Sequence, residues 1–277
     1  TSWAAGGVAG VAGERQRVQV LLSREQGGDV KTPEATLAGT EHERLSYGVG
    51  YAARLGADTV LRLDWRKQET GPTGNPPFGL DIGFFDSAFT HAELETAAGG
   101  WRFTASLGHA RIDHGMNNVQ FRGQSGMSAR ETLASAETWS GQGQAALGLG
   151  EGEFRVGIDG EESRHQMTIT NPFNDAFFVT PFNSVSLSRL GAFAEWEGRA
   201  RAIDLYAGLR ADSHEAEAGA PVVGPALPMG PRVLQAAFIE ADRSWDDVTV
   251  DALIRAGYDW GDGITLRAAV SRKTRAP

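Results

Sequence analysis

From Leu45 to Leu55 the odd positions read Leu45, Tyr47, Val49, Tyr51, Ala53, Leu55, while the even positions from Arg44 to Arg54 are charged or small. A period of two belongs to a β-strand whose faces meet different surroundings, because successive side chains point to opposite sides. The split recurs at Thr59, Leu61, Leu63, Trp65 against Arg62, Asp64, Arg66, and at Trp101, Phe103, Ala105, Leu107 against Arg102, Thr104, Ser106, Gly108. It continues at Phe154, Val156, Ile158, at Leu190 to Trp196, at Ile203 to Leu209, at Val250 to Tyr258 and at Ile264 to Val270.

The breaks between these segments alternate in length. Short turns are predicted near Gly10 to Glu14, Gly56 to Asp58, Ala97 to Gly100, Gly150 to Glu153, Gly198 to Ala200 and Gly261 to Gly263, with long stretches near 25–42, 68–86, 113–136, 168–186 and 213–248. That makes about 12 strands, each near the roughly 9–11 residues a tilted strand needs to cross a bilayer. Short turns on one side and long loops on the other are the plan of an outer-membrane barrel. The aromatic residues agree: Trp101, Trp196 and Trp260 sit beside short turns, and Tyr47, Trp65 and Trp139 at the loop ends, as two interfacial girdles would. A soluble antiparallel protein is the competing reading, but soluble strands average about 5–6 residues and need no one-sided loop lengths.

The expected fold is therefore all-β, an antiparallel up-and-down transmembrane barrel. Leu45, Leu63, Leu107, Ile158, Leu205 and Ile254 should face lipid, and Arg54, Arg62, Arg102, Arg155, Arg210 and Arg255 the lumen. Residues 1–277 are read as one partial barrel, since the pattern starts and stops in mid-course. No window is apolar enough for a membrane helix. A net charge of −9 speaks against nucleic acid as a partner, and the absence of cysteine removes thiolate chemistry.

The run 267-RAAVSRKTRAP-277 resembles the Arg-Lys-Thr-Arg-(Ser/Ala)-Pro strand of TonB-dependent outer-membrane receptors. Two other stretches are similar to the copper-receptor branch: 74-GNPPFGLDIGFFDS-87, and 112-IDHGMNNVQFR-122, which matches a His-x-Met-Asp-Asn-x-x-x-Arg segment except for Asn117 in place of Asp. The resemblance implies a 22-stranded barrel of which this chain carries about 12 strands, with the plug and C-terminal strands lying outside it. It further implies a bacterial outer-membrane location, coupling to the TonB complex through the plug, and high-affinity uptake of copper or a metal chelate. Ferric-siderophore uptake and a passive porin-like channel are the alternatives, and a membrane-embedded hydrolase a third.

His114 and Met116 share the parity of Arg102, Thr104 and Ser106, so both should point into the lumen. Imidazole with thioether is a soft donor pair that favours copper, and the resemblance implies metal ligation by these two residues. Copper is then cargo, and no resident cofactor is expected. Asn117, on the opposite parity, should bear on loop structure rather than coordination. Met127 and Met229 are reserve thioethers on long loops. Phe173, Phe177 and Phe178, in 171-NPFNDAFFVTPFN-183, either contact an apolar ligand or pack loop against loop. His109 reads as an interface residue. Asp159, Glu161 and Glu162 beside Arg164 and His165 present no acid, base and nucleophile on one face, so the chain is not read as an enzyme.

Overall fold

The computed structural model describes residues 2–37, 39–75, 77–261 and 263–274. The chain passes through β1 (Ser2–Ala12) and β2 (Gln16–Gly27), then a small ribbon of β3 (Val30–Lys31) and β4 (Thr36–Leu37). There follow β5 (His42–Arg54), β6 (Thr59–Thr70), β7 (Asp81–Ala98), β8 (Trp101–Asn117), β9 (Glu131–Leu149), β10 (Gly152–Thr170), β11 (Phe178–Ala200) and β12 (Ile203–Ala218). Beyond these come the short β13 (Val222–Val223), helix α1 (Met229–Glu240), β14 (Ser244–Gly261) and β15 (Ile264–Arg272). The long strands form one antiparallel meander in the order β1-β2-β5-β6-β7-β8-β9-β10-β11-β12-β14-β15, with β13 added to β11.

The registers sort the side chains as the alternation requires. Leu63, Ala92, Leu107, Gly141, Gly160 and Leu190 are successive cross-strand partners and share one face. One residue away, Arg62, Glu93, Ser106, Gln142, Asp159, Gly191, Asp212 and Thr249 are successive partners on the other. The first face is an apolar belt, with Leu107, Ile158, Leu190 and Ile254 all more than half exposed; a bilayer is the medium that suits it. The second face binds itself together by ion pairs. Arg62 reaches Glu93 at 2.6 Å and Glu95 at 2.7 Å, and Arg155 reaches Glu195 at 3.2 Å. At mid-height Arg189, Arg210, Asp159 and Asp212 close a four-membered network with contacts of 2.5–2.9 Å.

Every connection of two to four residues lies at one end of the meander and every longer one at the other, as a chain of antiparallel hairpins with alternating loop lengths demands. The β7–β8 turn is Gly99-Gly100, both at positive φ (59° and 85°), the left-handed geometry that two-residue hairpins ask of their central positions. At the loop ends Tyr47 meets Trp65 edge-on at 5.7 Å and the rings of His109 and Trp139 lie tilted at 4.2 Å, and at the turn ends Trp101 stacks with Phe103 at 6.2 Å and Trp260 meets Tyr258 edge-on at 6.0 Å.

The loops are shorter than the alternation predicted. β7 to β12 have 16–23 residues, so several strands run well past the apolar belt before turning. Above the belt both faces meet water, the period of two disappears from the sequence, and backbone pairing alone continues the ladder. The stretch 213–248, expected as one loop, instead holds the end of β12, β13, α1 and the start of β14. Helix α1 tolerates Pro231 because it falls in the first turn, where the amide needs no acceptor.

Candidate functional site on the lumen wall

The loop end of β8 carries the residues singled out by the sequence. Along β8 the pairing to β9 is continuous from Trp101 to Asn117, with His114 opposite Ala134 and Met116 opposite Thr132. No bulge intervenes in that ladder, so His114 and Met116 remain on the face of Thr104 and Ser106. The irregularity lies on the other side, in β7 at Gly83, between the pairs Ile82–Met116 and Phe84–Gly115. Gly83 fits there because the Asn117 side chain approaches to 3.1 Å of where a Cβ would sit, and across the pair Phe84 covers Gly115. His114 is half-buried against Phe85, with ring centroids 5.4 Å apart. Met116 is half-buried one pleat above it.

Asn117 ends the strand. Its Oδ1 accepts the amides of Val119 (3.1 Å) and Gln120 (2.9 Å) and so starts the loop. Asn118 Oδ1 then accepts the Arg130 amide at 2.7 Å, closing the base of that loop. Five residues on, Arg122 returns to the wall. Its Nε donates to Asp81 Oδ2 at 2.9 Å, and its Nη2 to Asp81 Oδ1 at 3.0 Å and to the Asn75 carbonyl at 2.9 Å. Asp81 is 3 % exposed and also accepts the Asn75 amide at 2.8 Å. The two stretches that resemble copper receptors, distant in sequence, are thus one fork joining the β6–β7 and β8–β9 loops. The pairing was missed in the sequence because 41 residues separate its partners; a lone Asp before an apolar run and an Arg after a polar one were the only signals.

Burial pushes the Asp81 carboxyl up, but the Arg122 guanidinium and the Asn75 amide together hold it below its ordinary value of 3.8. A group with a depressed folded pKa contributes its stability above the unfolded value and loses it as pH falls through the folded one. Amide hydrogen exchange of residues 71–80 and 118–130 is therefore expected to accelerate below about pH 4, ahead of exchange in the strands. Arg122→Gln should remove that acid transition and leave these loops exchanging fast at neutral pH. Loops that respond to pH equally in both proteins would show that the fork does not hold them.

The phenylalanine loop is packed from below. Asn171, 2 % exposed, donates to the Gly126 carbonyl at 2.8 Å and accepts the Phe173 amide at 2.8 Å. Phe177 is 8 % exposed beneath the Arg130 guanidinium, 4.1 Å from its ring. Phe178 is half-buried and lies against Gly224, whereas Phe173 stands out in solvent. Met127, in the β8–β9 connection, and Met229, the first residue of α1 rather than a loop residue, are both exposed. The acidic set around residue 160 is divided by the strand. Asp159 joins the lumen network, Glu162 pairs with Arg164 on the outer face at 2.7 Å, and His165 bonds Ser163 at 2.8 Å.

No protein-family model and no curated protein matches this sequence. Solved structures do. A structure described as the copper transporter OprC superposes with a TM-score of 0.74 at 16% identity over 98% of this chain. The ferric yersiniabactin uptake receptor FyuA from Yersinia pestis gives 0.67 at 13% over 97%, and the alcaligin outer-membrane receptor FauA from Bordetella pertussis 0.65 at 13% over 97%. The fold is that of the TonB-dependent receptor barrel. This chain spans 44%, 44% and 40% of those three proteins, less than half of each. At these identities the likeness concerns architecture: an antiparallel wall, apolar on one face and polar on the other.

Proposed function

We propose that this chain is part of the barrel of an outer-membrane receptor that takes up copper, driven by the TonB complex through a plug domain. The observation that carries the reading is the placement of His114 and Met116, an imidazole and a thioether on the lumen face at the loop end of β8. Such a pair binds Cu(I) in preference to hard cations such as magnesium or calcium. The resemblance of residues 112–122 to the copper-receptor segment supports the same ion, as does the likeness in fold to a copper transporter. Asn117, the one departure from that segment, caps a turn and points away from the lumen series.

Uptake of a ferric siderophore is the second reading, favoured by Phe173 standing free at the loop end and by the fold shared with siderophore receptors. Equilibrium Cu(I) binding to the intact protein separates the two. His114→Ala and Met116→Ala are each expected to weaken binding by about tenfold or more. Neither residue belongs to the lipid-facing series, so heat-modifiable migration of the barrel should be retained. Unaltered affinity in both variants would turn the assignment away from copper.

A further inference from the structure

One arginine of the lumen wall is left without a counter-charge. Every other arginine on the lumen face of β6 to β14 meets a carboxylate, from Arg62 with Glu93 to Arg255 with Glu197. Arg66, two pleats towards the loops from Arg62 on β6, meets none among the described residues. The registers set it at the centre of a small grid. Gly48 of β5 and Phe89 of β7 are its cross-strand partners. Ser46, Gln68 and Ser87 form the row towards the loops, and Gly50, Asp64 and His91 the row towards the turns. Gly48 belongs there because a Cβ would lie 2.5 Å from the Trp65 carbonyl oxygen and 3.0 Å from Cγ of Arg66, whose stem crosses that strand.

The grid lines a cleft of about 620 Å³, a size that suits a small-molecule site. Leu21 and Phe89 give it an apolar floor, with Phe89 47 % exposed, and Ser46, Asp64, Arg66, Gln68 and Ser87 surround that floor with polar groups. None of these five side chains hydrogen-bonds another described residue, and among the described residues no sealed side-chain nitrogen or oxygen lacks a partner. Their free donors and acceptors therefore open on the cleft. Two pleats towards the turns the polar groups are spent on one another, as in the network of Arg189, Arg210, Asp159 and Asp212. The cleft is also separate from His114. The row of Arg66 and Phe89 continues to Ala110 on β8, four residues before His114, so the two places lie about 13 Å apart along the strands and about 10 Å across them.

We propose that this cleft binds a small organic monocarboxylate with an aromatic body, its carboxylate on Arg66 and its ring against Phe89. A guanidinium grips a carboxylate through two parallel hydrogen bonds, and the Gln68 amide and the Ser46 and Ser87 hydroxyls supply the remaining donors at that end. The exposed face of Phe89 takes the ring by offset stacking. One cation suits one negative charge, and Asp64 on the turn side repels a second. An inorganic anion would leave Phe89 and Leu21 in water and most of the cleft unfilled, while a cation would stand against Arg66 at the centre. The proposal rests on the barrel reading, which makes this face the lumen, and on no copper ligand. A receptor so built takes a carboxylate as a second ligand beside the metal.

The test uses the intact protein in detergent, with ring-fluorinated phenylacetate as the probe and its fluorine NMR line width as the readout. The parent protein should broaden the line and excess unlabelled phenylacetate should restore it, whereas inorganic phosphate and phenethylamine, which lack the ring and the carboxylate respectively, should not. Arg66→Gln is expected to weaken binding by about tenfold or more, the loss that follows removal of a charged hydrogen-bond partner. Phe89→Ala should weaken it several-fold. Both residues lie off the lipid-facing series, so heat-modifiable migration should be retained, and Cu(I) affinity should match the parent in both variants. No broadening by the parent, equal broadening by Arg66→Gln, or displacement by phosphate as readily as by phenylacetate would each overturn the carboxylate site and leave the copper reading untouched. Unaltered Cu(I) affinity in His114→Ala and Met116→Ala, alongside carboxylate binding that depends on Arg66, would strike the copper reading and leave this site standing.

Discussion

Asp212→Ala is expected to destabilise the barrel by roughly 3 kcal/mol, the lower end of the range for breaking a buried ion pair by removing one partner. Asp212 is 7 % exposed on the lumen face of β12 and takes contacts from two guanidiniums, Arg210 at 2.5 Å and Arg189 at 2.8 Å. Its loss leaves both arginines with Asp159 alone, which already accepts Arg210 at 2.7 and 2.9 Å and Arg189 at 2.6 Å. The arginines keep about a third of their surface in water, at 31 % and 35 %, which holds the effect at the lower end of that range. Because the network ties β10, β11 and β12, the cost should fall on the whole sheet rather than on one loop. Urea-induced unfolding in lipid vesicles measures it, and Asp212→Asn, which preserves shape, should be nearly as costly as alanine. A change below about 1 kcal/mol in both variants would mean that lumen water satisfies the arginines unaided.

Ile158→Arg tests the other face and should cost about 2–4 kcal/mol, the range for a cation near the bilayer midplane on a barrel's lipid side. Ile158 is 61 % exposed and its partners Gly143 and Ala192 offer no polar group. Gln142→Arg, one residue from Gly143 and on the lumen face, carries the same new charge into a polar surface and should change stability by no more than about 0.5 kcal/mol. The same unfolding measurement compares the two. Equal costs would mean that the apolar belt does not face lipid, and with it would go the outward series of Leu63, Leu107 and Ile254.

Parity was decided by the sequence alone. In a strand, the alternation of Leu45 to Leu55 or Trp101 to Leu107 with charged and small residues leaves one arrangement that satisfies both lipid and water, and a one-residue slip would reverse every side chain. For the same reason the lumen position of His114 and Met116 could be derived before any partner strand was known. The one-sided distribution of long loops followed from the spacing of the glycine-rich turns. What the tertiary structure decided is whatever depends on register between strands. Nothing in residues 74–87 or 112–122 says that Asp81 will receive Arg122, since the fork forms between loops 41 residues apart. Nor does the sequence say how far β5 and β7 slide past β6, and that offset is what sets Arg66 between Gly48 and Phe89. The strand extensions and helix α1 were hidden for a related reason. Beyond the belt no medium distinguishes the two faces, so the hydrophobic period has no cause to persist, and only backbone pairing and loop packing determine the chain's path.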